Sequence, residues 1–475
     1  MEEQITIKKG IDVELKVESL AFGGMGVAHL NDMVTFVKNA IPGQHVLARI
    51  TKKRSSYLEA RTLEVISDSD LAVDVPCAHF KDCGGCTFQN LDYEEQLAAK
   101  QLQVRDIFQR IGGFEDVPSE PILGCSDIFH YRNKMEFTFA NRRWTTEDEL
   151  ESADTDFALG LHVSGRYDKI LNIDECHIQS KKANGILDLV KKLSRELKLE
   201  PYDIKNHTGF LRYLMIRHTR NTNEIMVNIV TSREDTECLS PITNSLISQF
   251  PNINSIVNNI TTRKAGVATG EHQVVLYGEE TISEKLGDYE FSISADSFFQ
   301  TNTKQTERLY EIIKEEAALT GNEIVYDLFC GTGSISIYLA KAAKMVYGFE
   351  LVMPAVQDAM ENAIQNKVKN AWFFAGDLAN LFRENPEAKT LEAPDVMIID
   401  PPRVGIHPKT VPDILQKAPL RIVYVSCNPA TQARDVKELC VAGYELTKLR
   451  PVDMFPHTPH IENVATLIKN DDNNA

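Results

Sequence analysis

The stretch EIVYDLFCGTGS, residues 323–334, decides the fold of the C-terminal part of the chain. It opens with the β-branched and aromatic composition of a buried strand, and a segment of helical composition follows at once. Gly331 and Gly333 stand in this strand-to-helix turn, where glycine lets a ligand approach the backbone closely. The third glycine of a dinucleotide fingerprint is missing, which argues against a dinucleotide ligand.

Further strand-like segments alternate with helical ones around this turn. This alternation predicts a doubly wound parallel sheet. Two final segments, 445–455 and 462–469, have no room for a helix between them and should pair as an antiparallel hairpin at the sheet edge. The other strand-like segments are MVYGFE, AWFFAGD, VMIIDPP and RIVYVSC, at 345–350, 371–377, 396–402 and 421–427.

Acidic residues end three of these strands, at the edge where open α/β sheets bind cofactors. Glu350 stands where a carboxylate can accept hydrogen bonds from both hydroxyls of a ribose, and Asp377 could meet an adenine amino group. Asp400 borders the same crevice. With no basic cradle for phosphate, S-adenosylmethionine fits better than NAD, and a degenerate pocket is the remaining alternative.

A thiol stands at the end of the fifth strand, beside a helix that Pro429 opens. At this position backbone N–H groups and the helix dipole should favour the thiolate of Cys427. A thiolate is useful when the methyl acceptor is a pyrimidine carbon, because its addition to C6 makes C5 nucleophilic. An enzyme that methylates an exocyclic amine would have Tyr or Phe after Asp-Pro-Pro. Arg403 stands there instead, which also favours a pyrimidine carbon as the methyl acceptor.

After methyl transfer the C5 proton must leave, and this step needs a general base. The segment FPHTPHIEN, residues 455–463, offers Glu462, with His457 and His460 close by. Glu462 is the expected base, since a desolvated carboxylate in a closed pocket is a stronger one. The alternatives are a buried structural cysteine at position 427 and a carboxylate that only caps or pairs.

These motifs together resemble the RNA uracil-C5 methyltransferases, which form 5-methyluridine, over nearly the full chain. In that family a Ser-Cys-Asn-Pro motif carries the nucleophile, as at 426–429, and a His-Thr-x-His-Val-Glu loop carries the base, as at 457–462 with Ile461 in place of Val. A Phe-x-Gln-x-Asn element of the family matches 298–302. The resemblance implies that the methyl donor is contacted by Gln300, Phe329, Glu350 and Asp400, and less firmly by Asp377.

Cys77, Cys83 and Cys86 come together in PCAHFKDCGGCTFQ, residues 76–89, and Cys176 is the obvious distant fourth. Disulfides are unexpected in the cytoplasm, so zinc and a [4Fe–4S] cluster are the candidates that the spacing leaves open. The resemblance favours the [4Fe–4S] cluster, because several family members hold one on this pattern. A structural or RNA-shaping role is then expected.

The first 67 residues predict short strands, a glycine turn at 23–26 and a basic loop at 51–54. A small β-barrel suits such a run. The segment resembles a TRAM domain, and its basic loop would then contact RNA phosphate. The sequence thus predicts three domains: a TRAM barrel (1–67), a central α+β iron–sulfur domain (68–285) and a Rossmann-like class I methyltransferase domain (286–475).

Composition limits the remaining possibilities. No run of about 18 apolar residues and no signal peptide occurs, so a cytoplasmic protein without a membrane partner is expected. The net charge of −17 argues against indiscriminate polyanion binding but allows a local basic face. No obligate protein partner is evident.

The expected reaction is methyl transfer to C5 of one uridine in RNA, with the target base flipped out of its stack. The resemblance favours 23S ribosomal RNA, because the family's transfer-RNA members generally lack the TRAM and cysteine segments. Transfer RNA, a non-catalytic RNA-binding assembly factor and an iron–sulfur redox enzyme are the alternatives. A cytosine-C5 enzyme would need an additional acid to protonate N3 of the base, and the sequence offers no candidate.

Overall fold

The computed structural model describes residues 7–470 except 146–154, 167, 265, 267 and 379. Most of the acidic stretch at 145–156 therefore lies outside the described residues. Four sheets organise the described chain: a six-stranded N-terminal sheet, a seven-stranded central sheet, a two-stranded hairpin and a seven-stranded C-terminal sheet. No helix among the described residues has both the length and the apolar composition needed to cross a bilayer.

The N-terminal sheet curls on itself, as a barrel requires. Its order is β1-β5-β6-β4-β3-β2, and only Val17 and Glu18 separate the two outermost strands along the chain. Alternate residues of β1, such as Val13 and Leu15, are buried in its core. Residues 51–53 of the predicted basic loop belong to a strand instead, and Lys52 pairs there with Glu59 at 2.6 Å. The strands are β1 (Asp12–Lys16), β2 (Ser19–Leu20), β3 (Gly26–Leu30), β4 (Met33–Lys38), β5 (His45–Lys53) and β6 (Tyr57–Ser67).

The central region is α+β, as predicted, with the sheet order β13-β12-β11-β10-β7-β8-β9. Only β11 and β12 are parallel neighbours. Its strands are β7 (Lys134–Ala140), β8 (Ala158–His162), β9 (Ile170–Asn172), β10 (Leu211–His218), β11 (Ile225–Thr231), β12 (Ile253–Ile260) and β13 (His272–Gly278). The helices are α1 (Tyr93–Ile107), which continues into a π-helical turn (Phe108–Gly112), α2 (Lys181–Glu196) and α3 (Thr236–Gln249).

The C-terminal sheet has the predicted doubly wound topology. Its order is β18-β17-β16-β19-β20-β22-β21, with five parallel strands and an antiparallel hairpin. The strands are β16 (Ile324–Leu328), β17 (Met345–Glu350), β18 (Ala371–Ala375), β19 (Val396–Ile399), β20 (Arg421–Ser426), β21 (Tyr444–Val452) and β22 (Glu462–Lys469). The helices are α4 (Thr303–Ala317), α5 (Ser334–Ala340), α6 (Met353–Gln365), α7 (Leu381–Glu384), α8 (Pro386–Thr390), α9 (Thr410–Lys417) and α10 (Pro429–Val441).

A hairpin joins the central and C-terminal regions through one continuous core. It consists of β14 (Ile282–Leu286) and β15 (Tyr289–Ile293). Phe291 of this hairpin packs in the same buried cluster as Met215 of the central sheet and Val325 of the C-terminal sheet. Because burial of apolar surface is the main stabilising term in folding, the two regions hold each other in a fixed relation.

Candidate active site

The predicted cofactor and catalytic residues gather along one edge of the C-terminal sheet. The carboxyl ends of the parallel strands lie there, and β22 enters at the same edge because it runs antiparallel to β20. Following the strand order from β18 to β22, the edge carries Asp377, Glu350, Phe329 with Gly331, Asp400, Cys427 and Glu462.

Backbone conformation keeps the turn after β16 open. Phe329 and Gly331 have positive φ angles of 65° and 54°. A Cβ added at Gly331 would meet nothing within 4 Å, whereas one at Gly333 would lie 2.9 Å from the ring of Phe373. Gly333 is therefore needed for packing inside the domain, and the space above Gly331 is open to a ligand.

The carboxylate of Glu350 joins the backbone of this turn to the backbone that follows β17. One carboxylate oxygen accepts from the Gly331 N–H at 3.1 Å, and the other accepts from the Val352 N–H at 2.9 Å. These bonds fix the carboxylate and leave lone pairs for ribose hydroxyls. The open cradle and the fixed acid fit the nucleoside part of S-adenosylmethionine.

Two acids at this edge have raised pKa values: Asp400 borders the crevice, and Asp327 is buried inside β16. Burial raises the pKa of Asp400 to about 7. Burial also raises the pKa of Asp327 to about 7, against a hydrogen bond from Ser336 that lowers it. Asp327 was not among the predicted site residues. The signal that could have marked it is an acidic residue inside an otherwise apolar strand.

Cys427 and Glu462 face each other across two antiparallel strands. Ser426 of β20 pairs with Asn463 of β22, so the residues that flank this pair on the crevice side are Cys427 and Glu462. The buried Gln432 of α10 fixes the register, because its amide nitrogen donates to the carbonyl of Asn463 at 3.0 Å. Glu462 is thus the first residue of β22, which is also where the predicted strand at 462–469 begins.

The thiol of Cys427 is not activated by its helix, contrary to the expectation from the sequence. Burial is the largest cause that raises its pKa, to about 11, and the charge of Glu462 is a smaller cause in the same direction. A hydrogen bond from Arg403 and the charge of that residue act in the opposite direction. Burial of the thiol therefore outweighs the groups that favour the thiolate.

Glu462 is buried in the same crevice. Burial raises the pKa of its carboxyl group well above the usual range, and the nearby Asp400 adds to the effect, while Arg403 lowers it. The carboxyl groups of Glu462 and Asp400 and the thiol of Cys427 thus lie in one desolvated space, which favours their protonated forms.

Arg403 is the one group that lowers the pKa of both Cys427 and Glu462. Its guanidinium also lies 2.6 Å from Nδ1 of His460. Its carbonyl accepts from Asn428 at 2.9 Å and from Thr431 at 3.2 Å, which ties the loop after β19 to the start of α10. The sequence marked this residue only as a departure from Asp-Pro-Pro-Tyr.

A buried polar network holds the segment between β21 and β22. Lys100 of α1 donates to the carboxylate of Asp453 at 2.8 Å, and the Tyr93 hydroxyl donates to the same carboxylate at 2.9 Å. The side chain of Gln96 accepts from the backbone N–H of His457 at 3.0 Å. Sequence reasoning missed this support because its partners lie more than 350 positions apart.

The two histidines of the segment are poor bases. Burial lowers the pKa of His457 to about 4, and its ring stacks on Phe129 at 4.4 Å. Burial and the charge of Arg403 lower the pKa of His460 to about 4. Both histidines therefore serve better as positioning groups than as proton acceptors at neutral pH.

The element at 298–302 joins the crevice to the central domain. Asn302 caps α4 and donates to the carbonyl of Met454 at 3.0 Å. The Gln300 carbonyl accepts from the side chain of Asn133 at 3.0 Å. The element is thereby tied both to the central domain and to the segment that leads into Glu462, and contact between Gln300 and the methyl donor stays a prediction.

The four predicted cysteines line one pocket of the central domain: Cys77, Cys83, Cys86 and Cys176. Burial raises the pKa of Cys83 and of Cys86 to about 12, and the neighbouring cysteines contribute to both shifts. Among the described residues, however, no three His, Cys, Asp or Glu side chains are placed to hold a single metal ion. A metal or cluster in this pocket therefore stays a prediction.

A doubly wound sheet of this order, with a glycine turn after its first strand and acids at the ends of three others, defines a class I methyltransferase. Comparison with known proteins makes the assignment narrower. The chain belongs to the tRNA (uracil-5-)-methyltransferase family, whose model matches residues 92–470. Residues 8–63 match the TRAM domain. The predicted enzyme class and the N-terminal module are thereby confirmed.

Similar proteins cover nearly the whole chain. An RNA methyltransferase of Chlorobaculum tepidum is 42% identical over 478 residues, which cover 98% of this chain and 98% of the relative. One from Porphyromonas gingivalis is 41% identical over 470 residues, covering 96% and 100%. The crystal structure of the Pyrococcus abyssi tRNA (uracil-54, C5)-methyltransferase with S-adenosyl-L-homocysteine has a TM-score of 0.75 and 30% identity and covers 96% of this chain and 100% of that one.

Proposed function

We propose that this enzyme methylates C5 of a specific uridine in RNA through a covalent adduct of Cys427 that Glu462 resolves. The facing positions of these two residues across β20 and β22 carry the proposal. S-adenosylmethionine, whose nucleoside would lie on Glu350 and the turn at Gly331, supplies an electrophilic methyl group. Gln300, Phe329, Asp377 and Asp400 complete the proposed binding edge.

The chain's own residues would then act in sequence. Cys427 loses its proton to water and its sulfur bonds to C6 of the uracil, which moves the C5–C6 electron pair onto C5 and O4. C5 takes the methyl group, and the donor leaves as a neutral thioether. Glu462 then removes the C5 proton, the C5–C6 double bond forms again, and the S–C6 bond breaks to release the thiolate.

The electrostatics of the crevice suit a thiol that stays protonated until RNA binds. Arg403 counteracts both raised pKa values, so it is the group placed to stabilise the thiolate at the moment of addition. Glu462 must be ionised when it takes the C5 proton, and its burial makes the carboxylate a strong base for a carbon acid.

The substrate proposal is 23S ribosomal RNA, with transfer RNA as the second candidate. The argument for ribosomal RNA was that transfer-RNA members lack the TRAM and cysteine segments. The Pyrococcus abyssi transfer-RNA enzyme, however, covers 96% of this chain, which is too much for its structure to omit the whole barrel at 8–63. That likeness is the observation that makes transfer RNA the second candidate.

The cysteine pocket is proposed to hold a [4Fe–4S] cluster through Cys77, Cys83, Cys86 and Cys176. Such a cluster would join the loop at 77–86 to the strand region before α2. Its role here is structural, because the methyl transfer described above needs no electron.

Nucleoside mass spectrometry tests the proposed function. Unmodified ribosomal and transfer RNA are incubated separately with anaerobically purified protein and methyl-labelled S-adenosylmethionine. Labelled 5-methyluridine in the ribosomal fraction alone is the expected result. Label in transfer RNA would keep the chemistry and change the substrate, and RNA binding with label in neither fraction would support an assembly factor instead.

A further inference from the structure

A solvent-open pocket with a cavity volume of about 140 Å³ lies in the central domain, apart from the crevice of Cys427. Because it is open to solvent, a group of an extended strand can enter it without the whole nucleotide being enclosed. We name it the arginine–histidine pocket. The residues that matter for the argument are His130, Arg132, Asn133, His218, Arg220 and Asn223.

Several side chains of the arginine–histidine pocket keep donors free. Arg132 uses Nε for the carbonyl of Lys134 at 2.9 Å, and its two terminal nitrogens make no hydrogen bond to any residue in the described part of the chain. Oδ1 of Asn223 lies 3.0 Å from Nε2 of His218 and accepts from Lys182 at 3.2 Å. That pairing orients the Asn223 amide so that its NH₂ group remains available.

The side chains around the pocket carry more positive than negative charge, although the net charge of the chain is −17. Arg220 and Lys304 share the carboxylate of Asp127, at 2.9 and 2.8 Å. Arg132 and Lys182 add two more cations. The nearby carboxylates of Glu284 and Glu307 are occupied, the first by the backbone N–H groups of Arg220 and Asn221 and the second by the side chain of Asn221. Burial lowers the pKa of His218, and the charges of Lys182 and Arg220 lower it further, so its ring is neutral at neutral pH.

The pocket also offers an acceptor suited to RNA. Asn133 is only 6% exposed, and its Oδ1 has no hydrogen-bond partner within the described residues. Its amide nitrogen is used for Gln300 and Thr303, so the amide cannot turn to hide this oxygen. A buried acceptor beside cationic donors suits a ribose 2′-hydroxyl next to a phosphate.

One short segment links the pocket to the catalytic crevice. Tyr131 donates to the carbonyl of Pro456 at 3.0 Å, and Asn133 donates to the carbonyl of Gln300. The charge of Arg132, which lies between them, lowers the pKa of His460. A group bound by Arg132 therefore lies beside the crevice that would receive the target base.

We propose that the arginine–histidine pocket binds a backbone phosphate and ribose of the RNA strand that flanks the target uridine. This inference rests on the proposed function, which it deepens by assigning a backbone subsite. Phosphate contacts position the strand and carry no sequence information, so the pocket sets where the base enters and not which base it is.

Two substitutions test the pocket, with one matched control. Arg220→Ala removes a donor, and Asn223→Asp places a carboxylate of the same size at the mouth. Arg110→Ala is the control, because Arg110 also pairs with an aspartate, Asp106 at 3.3 Å, but lies on the π-helical turn after α1.

The readout is the affinity for labelled, unmodified ribosomal and transfer RNA transcripts at several salt concentrations. Loss of one phosphate contact to a single strand should lower the affinity about five-fold at 0.1 M salt and reduce the salt slope by about 0.7. The KM for RNA should rise in both pocket variants, while the affinity for S-adenosylmethionine and the behaviour of Arg110→Ala stay as in the wild type. Unchanged RNA affinity and slope in both pocket variants would overturn the proposal.

A second measurement separates a backbone subsite from a site for free phosphate. The imidazole resonances of His218 are followed during titration with inorganic phosphate and with a short oligoribonucleotide. A shift with the oligonucleotide, and displacement of phosphate by it, supports the proposal; a shift with phosphate that RNA does not displace rejects it. Because these binding measurements need no turnover, an enzyme that forms no 5-methyluridine would refute the proposed function without deciding this question.

Discussion

Cys427 and Glu462 lie opposite each other at the crevice end of two antiparallel strands, because Ser426 and Asn463 form the last residue pair between β20 and β22. The same proximity raises the pKa of the thiol. A base that makes the neighbouring thiol harder to ionise is compatible with catalysis if the two groups act at different times. The sulfur attacks first, and the carboxylate acts only after the methyl group has been transferred.

Glu462→Gln should trap the enzyme on its RNA. The amide cannot remove the C5 proton, so the adduct between Cys427 and C6 forms but cannot resolve. A covalent protein–RNA species resistant to denaturing electrophoresis is expected, together with a loss of turnover of about 10²-fold or more.

Cys427→Ala should give neither turnover nor covalent species, and Cys440→Ser is its matched control. Burial raises the pKa of Cys440 to about 11 as well, yet that residue lies on α10 away from the crevice. A covalent species that survives in Cys427→Ala, or disappears in Cys440→Ser, would contradict the assigned nucleophile.

Arg403→Ala should make the thiol harder to ionise. With a pKa of about 11, the thiolate of Cys427 is about one thousandth of the total at pH 8, and Arg403 is the group that lowers this pKa. Its removal raises the pKa, so the thiolate fraction falls at every pH below the new value and the profile moves to higher pH.

The measurement is the pH dependence of Cys427 alkylation, followed by mass spectrometry of the labelled peptide. Arg403→Lys should restore part of the effect by charge alone, without the planar hydrogen-bonding geometry of arginine. Cys440 is the internal reference, since Arg403 is not among the causes of its pKa shift. A parallel change at both thiols would show that the substitution disturbs the domain in general.

The sequence predicted the sheet and the thiol position well because those features are local. Alternation of strands with helices, the turn at 331–333 and the junction at Cys427 are each read within a few neighbouring residues. The electrostatic state of Cys427 could not be predicted in this way. It depends on burial of the thiol by segments distant in sequence and on the pairing of β20 with β22, which places Glu462 beside the thiol.

The support of the catalytic segment was missed for a related reason. Lys100, Gln96 and Tyr93 look like ordinary polar residues of an exposed helix until Asp453 and His457 are placed against them. Long-range polar contacts leave no periodic signal in either partner's sequence. Such contacts are found only when the structure brings the two segments together.

Lys100→Met should destabilise the protein strongly, because it leaves the carboxylate of Asp453 buried without its cation. Both side chains of this ion pair are almost fully inaccessible to solvent. Breaking a buried pair costs about 3–5 kcal/mol, whereas replacing both charges together is close to neutral. Thermal unfolding should therefore show a lower Tm for Lys100→Met and a recovery of more than half the loss in Lys100→Met with Asp453→Asn. An equal Tm for the single and double variants would show that the pair contributes little.

Gly331→Ala should weaken binding of the methyl donor while the fold persists. The new Cβ meets no protein atom within 4 Å, so it enters the space proposed for the ligand. The positive φ of 54° adds strain of about 1–2 kcal/mol. Gly321→Ala is the control, because Gly321 also has a positive φ, 99°, and open space around its Cβ, but lies before β16. Calorimetry with S-adenosylhomocysteine should show at least about a ten-fold loss, or 1.4 kcal/mol, for Gly331→Ala alone.

The cysteine pocket should support the catalytic segment through the backbone that follows Cys86. The N–H groups of Thr87 and Phe88 both donate to the carbonyl of His457, at 2.7 and 3.0 Å. Loss of a cluster from the pocket should therefore loosen the segment at 453–461, because the loop at 77–86 would lose the bonds that join it to Cys176. Anaerobically prepared protein is expected to contain about four irons and four sulfides per chain.

Cys83→Ser should remove the cluster and increase hydrogen exchange at His457 and its neighbours, whereas Cys125→Ser should leave both the metal content and the exchange unchanged. Cys125 is a suitable control because it is a free cysteine that does not line the cysteine pocket. Zinc in place of iron would correct the identity of the metal and keep the structural coupling. Wild-type exchange rates at 453–461 in a metal-free Cys83→Ser protein would show that the two hydrogen bonds to His457 form without the cluster, and that the pocket has a role unconnected with the base.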